Sequence, residues 1–296
     1  MQRNIEINTS LVKKLVNEQF PQWANLPVYP VQHSGWDNRT FRLGDWWSVR
    51  LPSHERYAVQ VAKEHRWLPV FSHFLQIPIP KPVVIGRPSE DYPLPWSISL
   101  WIEGESAAHT RPNNMEQFAH TLGAFILDLH QVPIIGGPLA GDHNFHRGGD
   151  LNVYHAETMQ TIASLGEEID GDLASEIWHT ALQSAWQQTP VWVHGDIAAS
   201  NLLISEGELS AVIDFGCMGV GDPACDLTIA WTYLDDSARE TFRETIDLDE
   251  DTWARARGWA LWKALITLEE WNDTDPVKAA EAKGVIQTVM KKPLST

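Results

Sequence analysis

The residues Val193-His194-Gly195-Asp196-Ile197-Ala198-Ala199-Ser200-Asn201 are followed, after the apolar run Ala211-Val212-Ile213, by Asp214-Phe215-Gly216. A short apolar run between polar flanks reads as a buried strand. It returns Asp214 to the loop that carries Asp196 and Asn201, so the spacing predicts a hairpin with oxygen-bearing side chains at both ends. Phosphoryl transfer asks a protein for an acceptor of the hydroxyl proton and for oxygen ligands to magnesium on the nucleotide phosphates. Asp196, Asn201 and Asp214 fit those three tasks. The competing structural reading makes the two aspartates turn residues and Asn201 a cap.

Three blocks in one order carry a family resemblance. In protein kinases the catalytic Asp is followed five positions on by an Asn that holds metal, and a later D-F-G supplies a second metal-binding Asp. The chain has Asp196, Asn201 and Asp214 in those places, with H-G-D in place of H-R-D, and Gly221-Asp222-Pro223-Ala224-Cys225-Asp226-Leu227 follows as G-D-P-x-x-D-L. These blocks resemble the aminoglycoside phosphotransferase family of the kinase-like superfamily. The resemblance implies an α+β, bilobal protein-kinase-like fold, with a small β-rich N-terminal lobe (residues 1–101) and a larger helical C-terminal lobe (residues 102–296). It also implies ATP or GTP and magnesium as cofactors, Asp196 as the base, Asn201 and Asp214 as metal ligands, and His194 as an orienting partner in the catalytic loop. Asp222, ahead of Pro223, suits a helix N-cap, and Asp226 is expected to brace the catalytic loop.

The N-terminal region reads as a helix capped at Thr9-Ser10, then strands over residues 28–31, 39–43 and 46–51. The turn between the first two is where a nucleotide lid belongs. It holds a single glycine, Gly35, where protein kinases have a glycine-rich loop; Ser34 and Asn38 are candidate phosphate contacts, and an ordinary hairpin turn is the competing reading. By the resemblance, the phosphate-pairing lysine falls on the third strand, where the chain has Arg50. Its planar fork can hold phosphate and carboxylate together. The partner carboxylate is expected on a helix between residues 55 and 75, with Glu64 matching by spacing and Glu55 as the alternative. A plain surface ion pair is the other reading of Arg50 and Glu64.

A proline-rich connector over residues 77–82 leads to a strand at residues 96–102 that ends in Glu103-Gly104-Glu105. This resembles the superfamily's hinge, which implies adenine contacts from the main chain of Leu100, Trp101 and Glu103. The spacing of Phe118, Leu122, Phe125, Ile126 and Leu129 predicts a buried helix over residues 115–131. Residues 141–149 form a polar, Gly-rich stretch with His143 and His146. Metal ligation lacks a second cluster there, so a substrate-facing loop, a lobe brace or a turn with solvated histidines remains.

A chain of 296 residues is near the size at which a second core forms. Its 43% hydrophobic content is that of a folded protein, with no apolar run long enough for a bilayer and no secretory signal near Met1. Cys217 and Cys225 lack a disulfide or zinc pattern, which suits a reducing cytoplasm. The net charge of −17 argues against nucleic acid or anionic membranes as partners. It suits a cationic acceptor, though general solubility is the explanation to be preferred. The resemblance places acidic residues of the last third against substrate ammonium groups. Candidates are Asp235, Asp236, Glu269, Glu270 and Asp273, with Trp231 as a stacking wall; a solvated helix face is the competing reading. The expected function is transfer of a nucleotide γ-phosphoryl group to a hydroxyl of a small acceptor such as an aminoglycoside. Macrolides and choline- or homoserine-like metabolites are alternative acceptors. A non-catalytic nucleotide-binding pseudokinase is the alternative of another class. No resistance role follows from these residues.

Overall fold

The computed structural model describes residues 6–31, 35 and 37–291; Ser34, one of the expected phosphate contacts, lies outside them. Helix α1 (Thr9–Gln19) opens the chain. Its cap is Asn8, whose side chain accepts from Leu11 N at 3.0 Å. The expected Thr9-Ser10 cap is displaced because both residues already lie within the helix, whereas an N-cap must sit just outside it.

Strands β1 (Val28–Pro30), β2 (Asn38–Leu43), β3 (Trp47–Pro52), β4 (Pro82–Gly86) and β5 (Trp96–Leu100) make one antiparallel sheet in the order β1-β2-β3-β5-β4. Arg50 of β3 stands opposite Thr40 on one side and Ser97 on the other. Alternation buries Phe41, Leu43, Val49, Leu51, Trp96 and Ile98 against Val12, Leu15 and Val16 of α1 as a separate small core. Strand β4 grows out of the proline-rich connector and, among the described residues, pairs with β5 alone, an edge position where a strand beginning with proline is tolerated.

Between β3 and β4 the chain makes one 3₁₀ turn at Glu55–Tyr57 and continues as α2 (Ala58–Phe71). The apolar side of α2 does not join the small core. Trp67, Leu68 and Phe71 belong to the large core, where Phe71 lies 4.8 Å from the ring of Trp192 and 6.0 Å from that of Phe215. This placement fixes Glu64, on the same helix, relative to the large lobe.

The large lobe is mostly helical: α3 (Met115–His130), α4 (His155–Leu165), α5 (Gly171–Ala181), α6 (Ile229–Thr232), α7 (Asp236–Ile246), α8 (Glu250–Trp271) and α9 (Pro276–Met290). Helix α8 crosses its centre and packs on α4, α5 and α9. The expected hairpin is formed by β8 (Leu202–Ser205) and β9 (Glu208–Val212), extended by β6 (Glu105–Ser106). Beside it, β7 (Val191–Val193) pairs with β10 (Gly219–Gly221). The loops leaving β7 and β9 therefore emerge together. No described helix is long and apolar enough to cross a membrane.

Candidate active site

Residues 194–201 leave β7 and turn back into β8. Gly195 has φ +82°, and a Cβ there would overlap the carbonyl oxygen of Cys217, so glycine is required by both conformation and space. The buried carboxylate of Asp226 accepts from His194 N at 2.6 Å and from Gly195 N at 2.7 Å. Burial raises the pKa of Asp226, and these two donors and His194 oppose the rise. Asp226 thus fixes the start of the loop from beneath. His194 is fully buried. Its Nδ1 accepts from Asp196 N at 3.2 Å, which leaves Nε2 to carry the proton that faces the Ile213 carbonyl oxygen at 3.0 Å. The imidazole ties the loop to the end of β9.

At the loop's exposed edge, the side chain of Asp196 reaches solvent. Asn201 Nδ2 donates to the Asp196 carbonyl oxygen at 2.9 Å and to Oδ2 at 3.0 Å. One carboxylate oxygen of Asp196 is held by this bond, and the Asn201 amide oxygen points elsewhere. Asp214 follows β9 in a left-handed conformation, φ 67°. Only a few per cent of non-glycine residues take that conformation, and they concentrate at functional positions. Phe215 anchors the turn between the rings of Phe71 and His194, the latter at 4.5 Å.

The sheet meets this turn through Arg50. Nη1 donates to Glu64 Oε1 at 2.9 Å, and Nη2 donates to Asp214 Oδ1 at 2.7 Å. Burial alone would lower the pKa of Arg50, but Glu64, Asp214 and Asp37 hold it above its ordinary value. Glu64 is the carboxylate that reaches Arg50; Glu55 lies exposed in the preceding turn. Gly35 lies near the same point: a Cβ on it would be 3.2 Å from Asp37 Oδ1 and 3.9 Å from Asp214 Oδ2. Burial, with Asp214 adding repulsion, pushes the Asp37 carboxyl up to about 6. Asn38 is buried at the start of β2. Asp37 carries no motif, and its proximity in sequence to Gly35 is the signal that could have found it.

At the far end of β5, Leu100 is exposed and Trp101 N donates to the Trp46 carbonyl oxygen at 2.8 Å. Glu103 pairs with Arg42 at 2.7 Å, and the Arg42 guanidinium covers the Trp101 ring. These residues lie where the sheet passes into the large lobe.

Asn201 and Asp214 offer hard oxygen donors of the kind magnesium takes. No group of three or more His, Cys, Asp or Glu side chains that could hold a metal ion occurs among the described residues. Magnesium usually binds through one or two carboxylates with substrate phosphates completing its shell, so a sparse donor set fits it, and among the described residues Asp214 bonds through Oδ1, to Arg50, and not through Oδ2.

The residues expected at the acceptor wall are spread among several tasks. Asp235 caps α7 by accepting from Ala238 N at 3.0 Å, and Asp236 pairs with Arg239 at 3.0 Å. Glu269 accepts from Thr161 at 2.9 Å and from Ser164, bracing α4 against α8. Trp231 packs edge-on against Trp253 at 6.1 Å. Glu270 and Asp273 are exposed. Asp222 accepts from Ala224 N at 3.0 Å and pairs with buried Arg255 at 2.6 Å, so it joins the Pro223–Thr228 turn to α8. In the Gly-rich stretch, His143 Nδ1 lies 3.1 Å from Lys63 Nζ, which also donates to the Met218 carbonyl oxygen at 3.0 Å. Burial lowers the Lys63 pKa to about 8. The stretch is therefore a brace between α2 and the turn after Asp214.

The profile of the phosphotransferase enzyme family matches residues 30–259. No match is found among curated proteins. Among solved structures, the GDP complex of aminoglycoside 2'-phosphotransferase-IIIa is similar at a TM-score of 0.73 and 17% identity, covering 96% of this chain and 99% of that one. The streptomycin–ATP ternary complex of APH(2")-IIa is similar at 0.61 and 19% identity, covering 97% and 98%. Macrolide 2'-phosphotransferase type I is similar at 0.63 and 19% identity, covering 97% and 99%.

Proposed function

Because the chain belongs to the phosphotransferase enzyme family, whose members pass phosphoryl groups to alcohols, we propose that it moves the γ-phosphoryl of ATP or GTP to a hydroxyl of a small molecule. The observation that carries this reading is a solvent-facing Asp196 steadied by Asn201 ahead of the β8–β9 hairpin, with Asp214, tied through Arg50 to Glu64, at its other end. Asp196 orients the acceptor hydroxyl and takes its proton as transfer proceeds. Its neighbour Asn201 keeps one carboxylate oxygen fixed, so the other faces the acceptor. Arg50, steadied by Glu64, grips the non-transferred phosphates. Asn201 and Asp214 would hold magnesium, which neutralises phosphate charge during transfer. GDP and ATP in the similar structures support a nucleotide as donor. The nucleotide half of the site falls to residues 1–101 and the catalytic and acceptor half to residues 102–296. A reducing cytoplasm suits the free thiols of Cys217 and Cys225.

One observation favours a binding-only protein: Arg50 occupies a carboxylate oxygen of Asp214. Magnesium-dependent consumption of ATP and GTP, measured separately against aminoglycosides, macrolides and small metabolic alcohols, distinguishes the two. An acceptor that raises turnover, with the rise abolished in Asp196→Ala while nucleotide still binds, supports the kinase. Bound nucleotide that no acceptor accelerates, or equal turnover in Asp196→Ala, counts against it.

A further inference from the structure

Helix α2 turns three polar side chains toward the segment that follows β9, and all three are buried: Gln60, Lys63 and Glu64 are 2%, 8% and 7% exposed. Gln60 and Glu64 are four residues apart and so share one side of the helix. Glu64 reaches Asp214 through Arg50, and Lys63 donates to the Met218 carbonyl oxygen at 3.0 Å. Gln60 covers the residue midway between those two anchors, Gly216. A Cβ built on Gly216 would stand 2.7 Å from Gln60 Cδ and 2.8 Å from both Nε2 and Oε1. The three distances are alike, so the carboxamide meets the glycine with its face and not with its polar edge.

Lys63 and Glu64 have partners for their charges, whereas the amide of Gln60 has none. Among the described residues neither Nε2 nor Oε1 forms a hydrogen bond, and both atoms are shut off from solvent. Burying an amide without partners is costly. An apolar side chain of similar length would fill the same space without that cost, so packing alone does not account for a glutamine at this position.

The turn beneath Gln60 is itself constrained. Asp214 holds its left-handed backbone, φ 67°, while Arg50 Nη2 donates to its Oδ1 and Arg50 Nη1 to Glu64. A non-glycine residue in that region persists only where its surroundings over-determine it. Here the surroundings are Arg50 on one side and Phe215, set between Phe71 and His194, on the other. Gly216 is the residue of the turn with the widest backbone freedom, and the main-chain groups on either side of it flank the carboxamide. A glutamine amide offers a donor and an acceptor, the pair that one carbonyl and one N–H require.

Resting on the phosphotransferase reading above, we propose that Gln60 is a positioning residue for Asp214. Its carboxamide hydrogen-bonds the main chain beside Gly216 in the arrangement of the turn that frees Asp214 from Arg50 and presents it to magnesium and nucleotide. With Arg50 on Asp214 the amide faces the glycine and bonds nothing; with Asp214 released the amide is satisfied and the Arg50 fork is free for phosphate. A ligand shifts such an equilibrium only by its differential affinity for the two arrangements, and Gln60 lowers the difference that magnesium and nucleotide must supply.

The test compares the full wild-type chain with Gln60→Met, which keeps the length and removes the amide. In the absence of ligands the Met variant is expected to melt about 2 °C or more above wild type, because an unbonded buried amide is gone. Calorimetric titration with non-hydrolysable ATP and GTP analogues, with and without magnesium, gives the second readout. Affinity for the analogue alone is expected to be unchanged, and the gain on adding magnesium is expected to fall about tenfold in the variant. Gln60→Leu, a second apolar replacement, is expected to lose the same gain. A purely structural glutamine would move the melting temperature and leave the magnesium gain alone. Variants that melt at or below wild type show an amide already bonded when Arg50 holds Asp214, and variants that keep the full magnesium gain show a turn that does not need it; either result overturns the proposal. The wild-type titration tells this failure from that of the underlying reading. Wild type that binds neither analogue removes the phosphotransferase reading and the proposal with it, whereas wild-type binding whose magnesium gain survives both substitutions removes the proposal alone.

Discussion

Arg50 of the sheet and Asp214 of the large lobe meet at 2.7 Å while the other prong of the same guanidinium holds Glu64 at 2.9 Å. One planar cation spans two carboxylates that a lysine ammonium, as a point charge, cannot span with the same geometry. Arg50→Lys is therefore expected to raise the KM for nucleotide about tenfold, the size of one lost charge-assisted hydrogen bond, with a smaller change in kcat. Steady-state kinetics against nucleotide concentration decides this, and an unchanged KM would remove Arg50 from the phosphate site.

Asp226 is expected to act on the catalytic loop and not on nucleotide. In Asp226→Asn one of the two N–H groups now held at 2.6 and 2.7 Å must face an amide NH₂. A buried donor left unsatisfied costs roughly 1–3 kcal/mol. Chemical denaturation should show that loss, and kcat should fall at unchanged nucleotide KM. A KM effect alone would contradict the bracing role.

Gly195→Ala combines a left-handed backbone at φ +82° with overlap on the Cys217 carbonyl. Strain of about 1–3 kcal/mol from the backbone alone is expected, together with a shift of Asp196. Thermal melting and turnover should fall together, and an alanine variant with wild-type values in both would show that the loop can move aside.

His130 near the end of α3 gives a pH test away from the site. Burial lowers its pKa from 6.5 to about 4, and its Nε2 has no partner. A depressed folded-state pKa gives stability that is present above about 6.5 and is lost as pH falls through about 4. The loss integrates to roughly 3–4 kcal/mol. His130→Phe should flatten the stability curve across that window, as read by denaturant midpoints, and an unaltered slope would assign the acid sensitivity elsewhere.

The arrangement of the candidate site was legible because Asp196, Asn201 and Asp214 sit on one hairpin, where sequence distance sets spatial distance. Asp196, Asn201 and Asp214 are joined by β8 and β9 alone. Arg50 and Glu64 were legible through strand order and helix spacing. The acceptor wall was not. Acidic residues serve as helix caps and braces as readily as ligands, as Asp235 and Glu269 do, and the two uses have the same composition. Helix α4 went unassigned because its apolar face is short and interrupted by polar residues buried through tertiary contacts, Thr158 and Thr161. Strand β4 was hidden by the prolines that precede it.

Helix α2 lies between two materials. Its rings are set in the oil of the large core, and its Glu64 reaches the sheet through ions. Salt weakens charge contacts and leaves apolar packing comparatively intact. The Arg50–Glu64 pair is itself shielded from solvent, where screening is weak, so both joints of α2 should hold as ionic strength rises, and the setting of the sheet on the large core answers to the sequence more than to the solution around it.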